Sequence, residues 1–239
     1  MKLKMASSTQ HHLVLLPGLD GTGDLFDPLL SVLPPTFQAS VVRFPPDRLI
    51  SHWELLGCIR SVIPWDHPYV LVAESAAGPL ALKFVEAQRQ DIRAVVLCAS
   101  FVSKPTPPAR SWIPPLLTKP WLAQAPTPQA VRKYLLGEDA PDPLVERATD
   151  ALRSLKPEVW AARAQMVFLA DARQALRSCE KPILYLQATE DQFVGGAALE
   201  EIKLLKPSVK TAAVKGPHGL LQRSPREAIA AIGTFLASL

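Results

Sequence analysis

Cysteine is scarce in this chain, and what there is lies scattered. Only three occur in 239 residues, at Cys58, Cys98 and Cys179. The count is odd and no C-x-x-C is present, which argues against a disulfide framework and against a zinc site. Cys98 falls within Val95-Val96-Leu97-Cys98-Ala99 and reads as a small core residue. Long hydrophobic runs are missing, so no segment reaches the length that spans a bilayer. The opening stretch MKLKMASSTQHH lacks the apolar centre of a secretory leader, and the expected compartment is the cytoplasm. Runs of basic residues are absent too. The net charge is +4 with Lys and Arg dispersed, which leaves no footprint for nucleic acid. H-E-x-x-H does not occur, and neither a metal nor an organic cofactor is expected. His11 and His12 are adjacent at a strand start, which offers little geometry for a metal.

What is present suits one α/β domain with a modest insertion. The hydrophobic share of 48% is ample for a core. His12 to Leu16 is a continuous apolar run, as in a parallel strand buried on both faces. A glycine-rich turn follows, Pro17-Gly18-Leu19-Asp20-Gly21-Thr22-Gly23. Asp24 then looks like the N-cap of a helix to about Leu33. Ala39 to Phe44 reads as a second strand, and Ser51-His52-Trp53-Glu54 as a capping box opening a helix to about Ile63. Tyr69 to Ala73 and Ala94 to Ala99 are the third and fourth strands. This rhythm means parallel pairing with right-handed crossovers: a doubly wound, mostly parallel sheet of about six strands.

The rhythm stops in a proline cluster, from residue 101 to about 127, whose tryptophans and leucines are too many for a disordered linker. Thr127-Pro128 and Asp142-Pro143 each resemble a cap followed by proline at the first helical position. Pro157 to Ala170 is a further helix with almost no polar face, which must be covered or must cover something. Residues 103–176 are therefore read as a helical lid, inserted between the 1–102 and 177–239 halves of the core. The sheet resumes at Pro182 to Ala188, with a helix from Gly196 to about Leu205 and a last strand from Lys210 to Val214. Ser224-Pro225-Arg226-Glu227 combines N-cap, N1 proline and capping-box glutamate at the head of a helix to Ser238.

The chemistry centres on Tyr69 to Gly78, YVLVAESAAG. Strand, one hydroxyl, small residues and helix follow one another, the layout of a nucleophile elbow around Ser75. Ala73 and Ala77 stand where glycine is usual. The turn would place the Ala76 N–H at a helix start, where it can help hold an oxyanion. Ligands of parallel α/β sheets bind beyond the carboxyl ends of the strands. Ser75 follows the third strand, Asp191 the fifth and His218 the last. Each has a plainer reading: a helix-capping serine, a loop carboxylate with Glu190 as its rival, a turn histidine. Their order along the chain, Ser-Asp-His, is that of one triad fold and not of the other two familiar ones.

On these residues the chain resembles the α/β-hydrolase superfamily over nearly its whole length. The carrying segments are Leu13–Gly23, Val72–Pro79, Ala188–Val194 and Lys215–Pro225. The first is similar to the family's His-Gly oxyanion loop, with Pro17 where histidine is commoner. It is also locally similar to loops of small bacterial hydrolases and of plant acyltransferases that make phytyl esters. The resemblance implies that Leu19 supplies an oxyanion N–H beside Ala76, that Asp191 is the acid and that His218 is the base. The family usually begins with two further strands, so this chain is expected to start at the third.

The expected function is hydrolysis of carboxylic esters with short- to medium-chain apolar acyl groups, through an acyl-enzyme on Ser75. Trp112, Leu116, Trp121, Trp160 and Phe168 are the expected acyl-binding residues. Acyl thioesters, acyl-carrier methyl esters and transfer to an alcohol are alternatives on the same triad. The expected partner is a small-molecule ester. Arg110, Lys119, Arg132 and Lys133 could also meet an acyl carrier, as in the pimeloyl-carrier methyl esterases of this fold, although surface solvation explains them equally well. Two readings of other classes are a catalytically idle binding protein on the hydrolase fold and a dinucleotide fold. The second has the wrong glycine spacing in Gly18-x-x-Gly21-x-Gly23 and no Tyr-x-x-x-Lys, although Arg43 at the next strand end would suit a 2′-phosphate.

Overall fold

Apolar runs bounded by glycine and proline set the strands, and the computed structural model, which describes residues 10–88, 91–105 and 126–239, orders them into one sheet. The chain begins with β1 (His11–Leu16), a 3₁₀ turn at Asp24–Phe26, α1 (Asp27–Leu30), β2 (Phe37–Val41) and α2 (His52–Arg60). Next come β3 (Tyr69–Glu74), α3 (Ala77–Ala87) and β4 (Ile92–Cys98). After β4 come α4 (Pro128–Ala130), a π-helical segment at Val131–Leu136, α5 (Asp142–Arg153), α6 (Pro157–Phe168) and α7 (Arg173–Ser178). The core closes with β5 (Ile183–Ala188), α8 (Gly196–Leu205), β6 (Lys210–Val214), α9 (Leu220–Arg223) and α10 (Pro225–Ala237).

The strand order is β2-β1-β3-β4-β5-β6, and every pairing is parallel. Successive side chains of a strand point to opposite faces, so a run apolar at every position must be covered twice. Val14, Leu16, Leu71, Ala73, Val95 and Leu97 enter a core on one face with Phe84 of α3, Leu176 of α7 and Ile202 of α8. Leu13, Leu15, Val70, Val72, Val96 and Cys98 enter the other, against Ile229, Ile232 and Phe235 of α10. The chain steps from β1 to β2 on one side, then crosses back from β2 to β3 on the other side of β1. Between β1 and β3 the loops after the two strands diverge and leave a crevice.

Several local expectations shift. Asp24 does not cap a long helix. Gly23, in the left-handed region, precedes a 3₁₀ turn and then a short α1 with proline in its first turn. Asp142 and Pro143 are the first two residues of α5, and Pro141 holds the N-cap. The box at Ser51 and Glu54 forms in full, but the one at Ser224 does not: its Oγ donates 2.7 Å to the Lys215 carbonyl, and no side-chain cap forms. In α6 only Val159 and Ala164 are fully buried. Met166 and Leu169 are exposed, so its apolar residues are divided between an inner wall and a surface.

Phe84 is fully buried at the centre of the first core. Phe84→Ala should destabilise the fold by about 3–5 kcal/mol, read as a fall in the urea midpoint at unchanged slope.

Candidate active site

Ser75 sits where β3 gives way to α3, at a backbone φ of +52°. A side-chain-bearing residue in this region costs roughly 1–2 kcal/mol, so the neighbours must hold it there. They do so through the backbone. The Ser75 N–H donates 2.9 Å to the Cys98 carbonyl. The Ser75 carbonyl accepts from Gly78 N at 3.2 Å and from Ser100 Oγ at 2.6 Å. Ala73 and Ala77 are buried, as the elbow pattern requires. The tightest position is nevertheless Gly78, where a Cβ would lie 2.0 Å from Ser100 Oγ. Gly18 closes over the turn from β1, its place for a Cβ lying 3.4 Å from the Ser75 Cβ.

The other two expected residues converge on this hydroxyl from different strand ends. Asp191 follows β5. Its Oδ1 accepts from the N–H groups of Phe193 at 2.7 Å and Val194 at 2.9 Å. Its Oδ2 accepts from His218 Nδ1 at 2.8 Å. A carboxylate only accepts, so Nδ1 carries the proton and Nε2 is left to accept. Ser75 Oγ donates to it at 2.7 Å. The ring of Phe193 packs edge-on to the His218 ring at 5.1 Å. Glu190, the rival acid, is half exposed, with Lys215 at 3.9 Å.

Electrostatics follow from this packing. Burial by itself lowers the His218 pKa, but the Asp191 charge and hydrogen bond, and then the Glu74 charge, outweigh it, and the net shift is upward from 6.5. The protonated ring therefore stabilises the fold below about 6.5, and this contribution is lost as pH rises through the folded value. Glu74, next to Ser75, is shifted upward as well. Burial first, and the Asp20 charge second, push it up to about 7 against the pull of His218 and Gln222. Burial also pushes the Cys98 thiol well up, as suits a core residue. Among the described residues, no group of three or more His, Cys, Asp or Glu side chains is placed to hold a metal ion.

Leu19 and Ala76 both line the cavity above Ser75, and Ala76 is the residue immediately before α3. Among the described residues, neither N–H is taken by a backbone carbonyl. The loop that carries Leu19 is braced from α6. Arg163 of α6 donates to the Leu19 carbonyl at 3.3 Å and, more closely, to that of Asp20. It also donates to the carbonyls of Phe44 and Pro45, at 3.3 and 3.0 Å. A Cβ on Gly21 would occupy the place of this guanidinium.

The cavity holds about 190 Å³, and most of its wall is apolar. Trp160, an expected acyl-binding residue, lines it together with Ala164 and Val167. Phe168 does not line it and lies instead beneath the ammonium of Lys104, 5.3 Å from the ring centre. Residues 160, 164 and 167 share one face of α6, and Phe168, the last residue of the helix, sits about 80° around from Trp160 at the edge of that face. Trp112, Leu116 and Trp121, like Arg110 and Lys119, lie outside the described residues. Sequence reasoning missed Leu136, Val167 and Phe193 in the cavity wall, and Arg163 behind the loop. The 3.6-residue spacing from Trp160 would have found Val167. Arg132, expected on an open surface, is bonded to the Ala140 carbonyl and to Asp142. Arg43 likewise pairs with Asp24.

No family model and no curated protein sequence matches this chain. Solved structures do. A hydrolase from Oleispira antarctica superposes with a TM-score of 0.78 at 13% identity, over 96% of this chain and 92% of its own. An esterase from Rhodococcus sp. ECU1013 gives 0.77 at 17%, over 97% and 92%. The enol-lactonase of Burkholderia xenovorans LB400 gives 0.76 at 15%, over 95% and 92%. The chain therefore has the α/β-hydrolase fold, a sheet and crossover plan shared by enzymes of differing substrates.

The turn at Gly78 makes a direct test of the elbow. Gly78→Ala should cost about 1–3 kcal/mol through overpacking. Adding Ser100→Ala should recover part of that loss, seen as a favourable coupling between the two changes in urea unfolding.

Proposed function

We propose that the protein is a serine hydrolase that cleaves carboxylic esters of short- to medium-chain apolar acyl groups. The observation that carries this reading is the relay from Ser75 Oγ through both nitrogens of His218 to Asp191, at 2.7 and 2.8 Å. In it His218 takes the Ser75 proton as the oxygen attacks the ester carbonyl. Asp191 keeps the imidazole in the right tautomer and stabilises its charged form. The N–H groups of Leu19 and Ala76 hold the tetrahedral oxyanion, a role in which one donor is typically worth about 3–4 kcal/mol of barrier. His218 then returns the proton to the departing alcohol, and water repeats the sequence on the acyl-enzyme.

Trp160, Ala164, Val167 and Leu136 offer the acyl chain an apolar wall of limited length. We read residues 103–176 as a lid over the 1–102 and 177–239 core, since its helix α6 supplies that wall. We keep the cytoplasm as the compartment, in line with three unpaired thiols. Among the described residues, no helix is long and apolar enough to cross a membrane. Thioesters, acyl-carrier methyl esters and alcohol acceptors stay as alternatives on the same triad. The carrier reading is weakened by the internal bonds of Arg132.

A fluorophosphonate probe should form one adduct, on Ser75, and Ser75→Ala should lose both the adduct and p-nitrophenyl butyrate turnover. An unlabelled, folded protein would instead mark an idle fold. Because His218 acts in its neutral form and its pKa is raised, kcat/KM should climb with pH along a limb centred above 6.5. Asp191→Asn should move that limb to lower pH and reduce kcat by roughly 10³–10⁴-fold. Arg163→Ala should lower kcat more than it raises KM, and added guanidine should restore part of the rate. An unchanged kcat would separate the brace from the oxyanion loop's work.

A further inference from the structure

The cavity is not apolar throughout. Beside Ser75 it has a short polar shelf made by Asp20 from the loop after β1, Glu74 from the end of β3 and Gln222 from α9. All three side chains are more than nine-tenths buried. Glu74 Oε2 accepts from Gln222 Nε2 at 3.2 Å. Its Oε1 is buried and has no hydrogen-bond partner among the described residues. Asp20 turns Oδ2 to the N–H and hydroxyl of Thr22, at 2.9 and 2.7 Å. The relay from Ser75 through His218 to Asp191 uses neither of these two carboxyl groups. A carboxyl left half-satisfied in such a place is costly unless a partner arrives, and its natural partner is a donor.

We propose that this shelf is a recognition subsite for a hydrogen-bond donor, a hydroxyl or a protonated amine, carried by the alcohol portion of the ester. The inference rests on the ester-cleaving reading of Ser75 and narrows its substrate class. An ester bound at Ser75 has two arms. The wall built by Leu136, Trp160 and Val167 accepts an apolar acyl arm, and the shelf is left to the alcohol. The shelf carries two acidic side chains and no basic one, and Arg163 turns to the carbonyl side of the Asp20 loop. It therefore favours neutral or cationic donors and repels a carboxylate. At pH 8, above the raised Glu74 pKa of about 7, the carboxylate form prevails and acts as acceptor only.

The test compares isosteric alcohols on one acyl group at pH 8. One pair is 2-hydroxyethyl butyrate against propyl butyrate. The other is 2-(dimethylamino)ethyl butyrate against 3-methylbutyl butyrate. The readout is the ratio of kcat/KM within each pair, so that a general loss of activity in a variant cancels. The wild-type ratio should favour the donor-bearing ester about tenfold or more in at least one pair, which also tells hydroxyl from amine as the preferred donor. Glu74→Gln should reduce that ratio at least about fivefold. Asp20→Asn, which keeps an acceptor for Thr22, should lower the amine ratio and spare the hydroxyl ratio. Ratios near one in the wild type, or ratios unmoved by Glu74→Gln, overturn the subsite. Fluorophosphonate labelling of Ser75 is run on each variant. Labelling with ratios near one removes the subsite alone, whereas no labelling of the folded wild type removes the ester-cleaving reading beneath it.

Discussion

The left-handed turn at Ser75 is the constraint around which the rest is built. A serine at a φ of +52° is an unfavourable piece of backbone, and it persists because three neighbouring residues fix it. The end of β4 takes its N–H, Ser100 grips its carbonyl, and Gly78 leaves no side chain in the way. The return is geometric. The hydroxyl is raised from the sheet toward the loop after β1, and the chain leaves the turn directly into α3. Were the turn to relax, Oγ would fall back toward the sheet and the contact with His218 would be lost.

Sheet topology does the next part of the work. Chain order reverses between β1 and β3, and the loops diverging there open a crevice at the carboxyl ends of the strands. Into it come Ser75 from β3, Asp191 from beyond β5 and His218 from beyond β6. The parallel sheet holds these strand ends at fixed spacing, so residues 143 positions apart meet at 2.7 Å. Asp191 is itself held by two backbone N–H groups, which leaves one oxygen free to orient the imidazole.

Much of this was legible in the chain. Runs such as Leu13 to Leu16 and Val70 to Val72 are apolar at consecutive positions, as suits a doubly covered strand, and glycine and proline mark the turns. Ser75, Asp191 and His218 each follow such a run, in the Ser-Asp-His order of one triad fold. What escaped was whatever depends on rotation or on distant partners. On α6 it is Val167 and not Phe168 that lines the cavity, a distinction hidden in a helix apolar on nearly every side. Ser224 looked like a cap, yet its hydroxyl is drawn to Lys215 by the bend after β6. Arg163 resembled any other surface cation, since its four carbonyl partners lie more than a hundred positions away.

One helix, α6, serves two masters. The side of α6 bearing Trp160, Ala164 and Val167 lines the cavity above Ser75, while Arg163 on the same helix steadies the loop that carries Leu19. A rigid rod cannot be re-seated at one contact alone. Shifting α6 to enlarge the cavity would loosen the anchor of the Leu19 loop, so the size of the one and the placing of the other depend on the same dozen residues. The cavity can be widened without disturbing the loop only by trimming single side chains, with the helix axis left where it is.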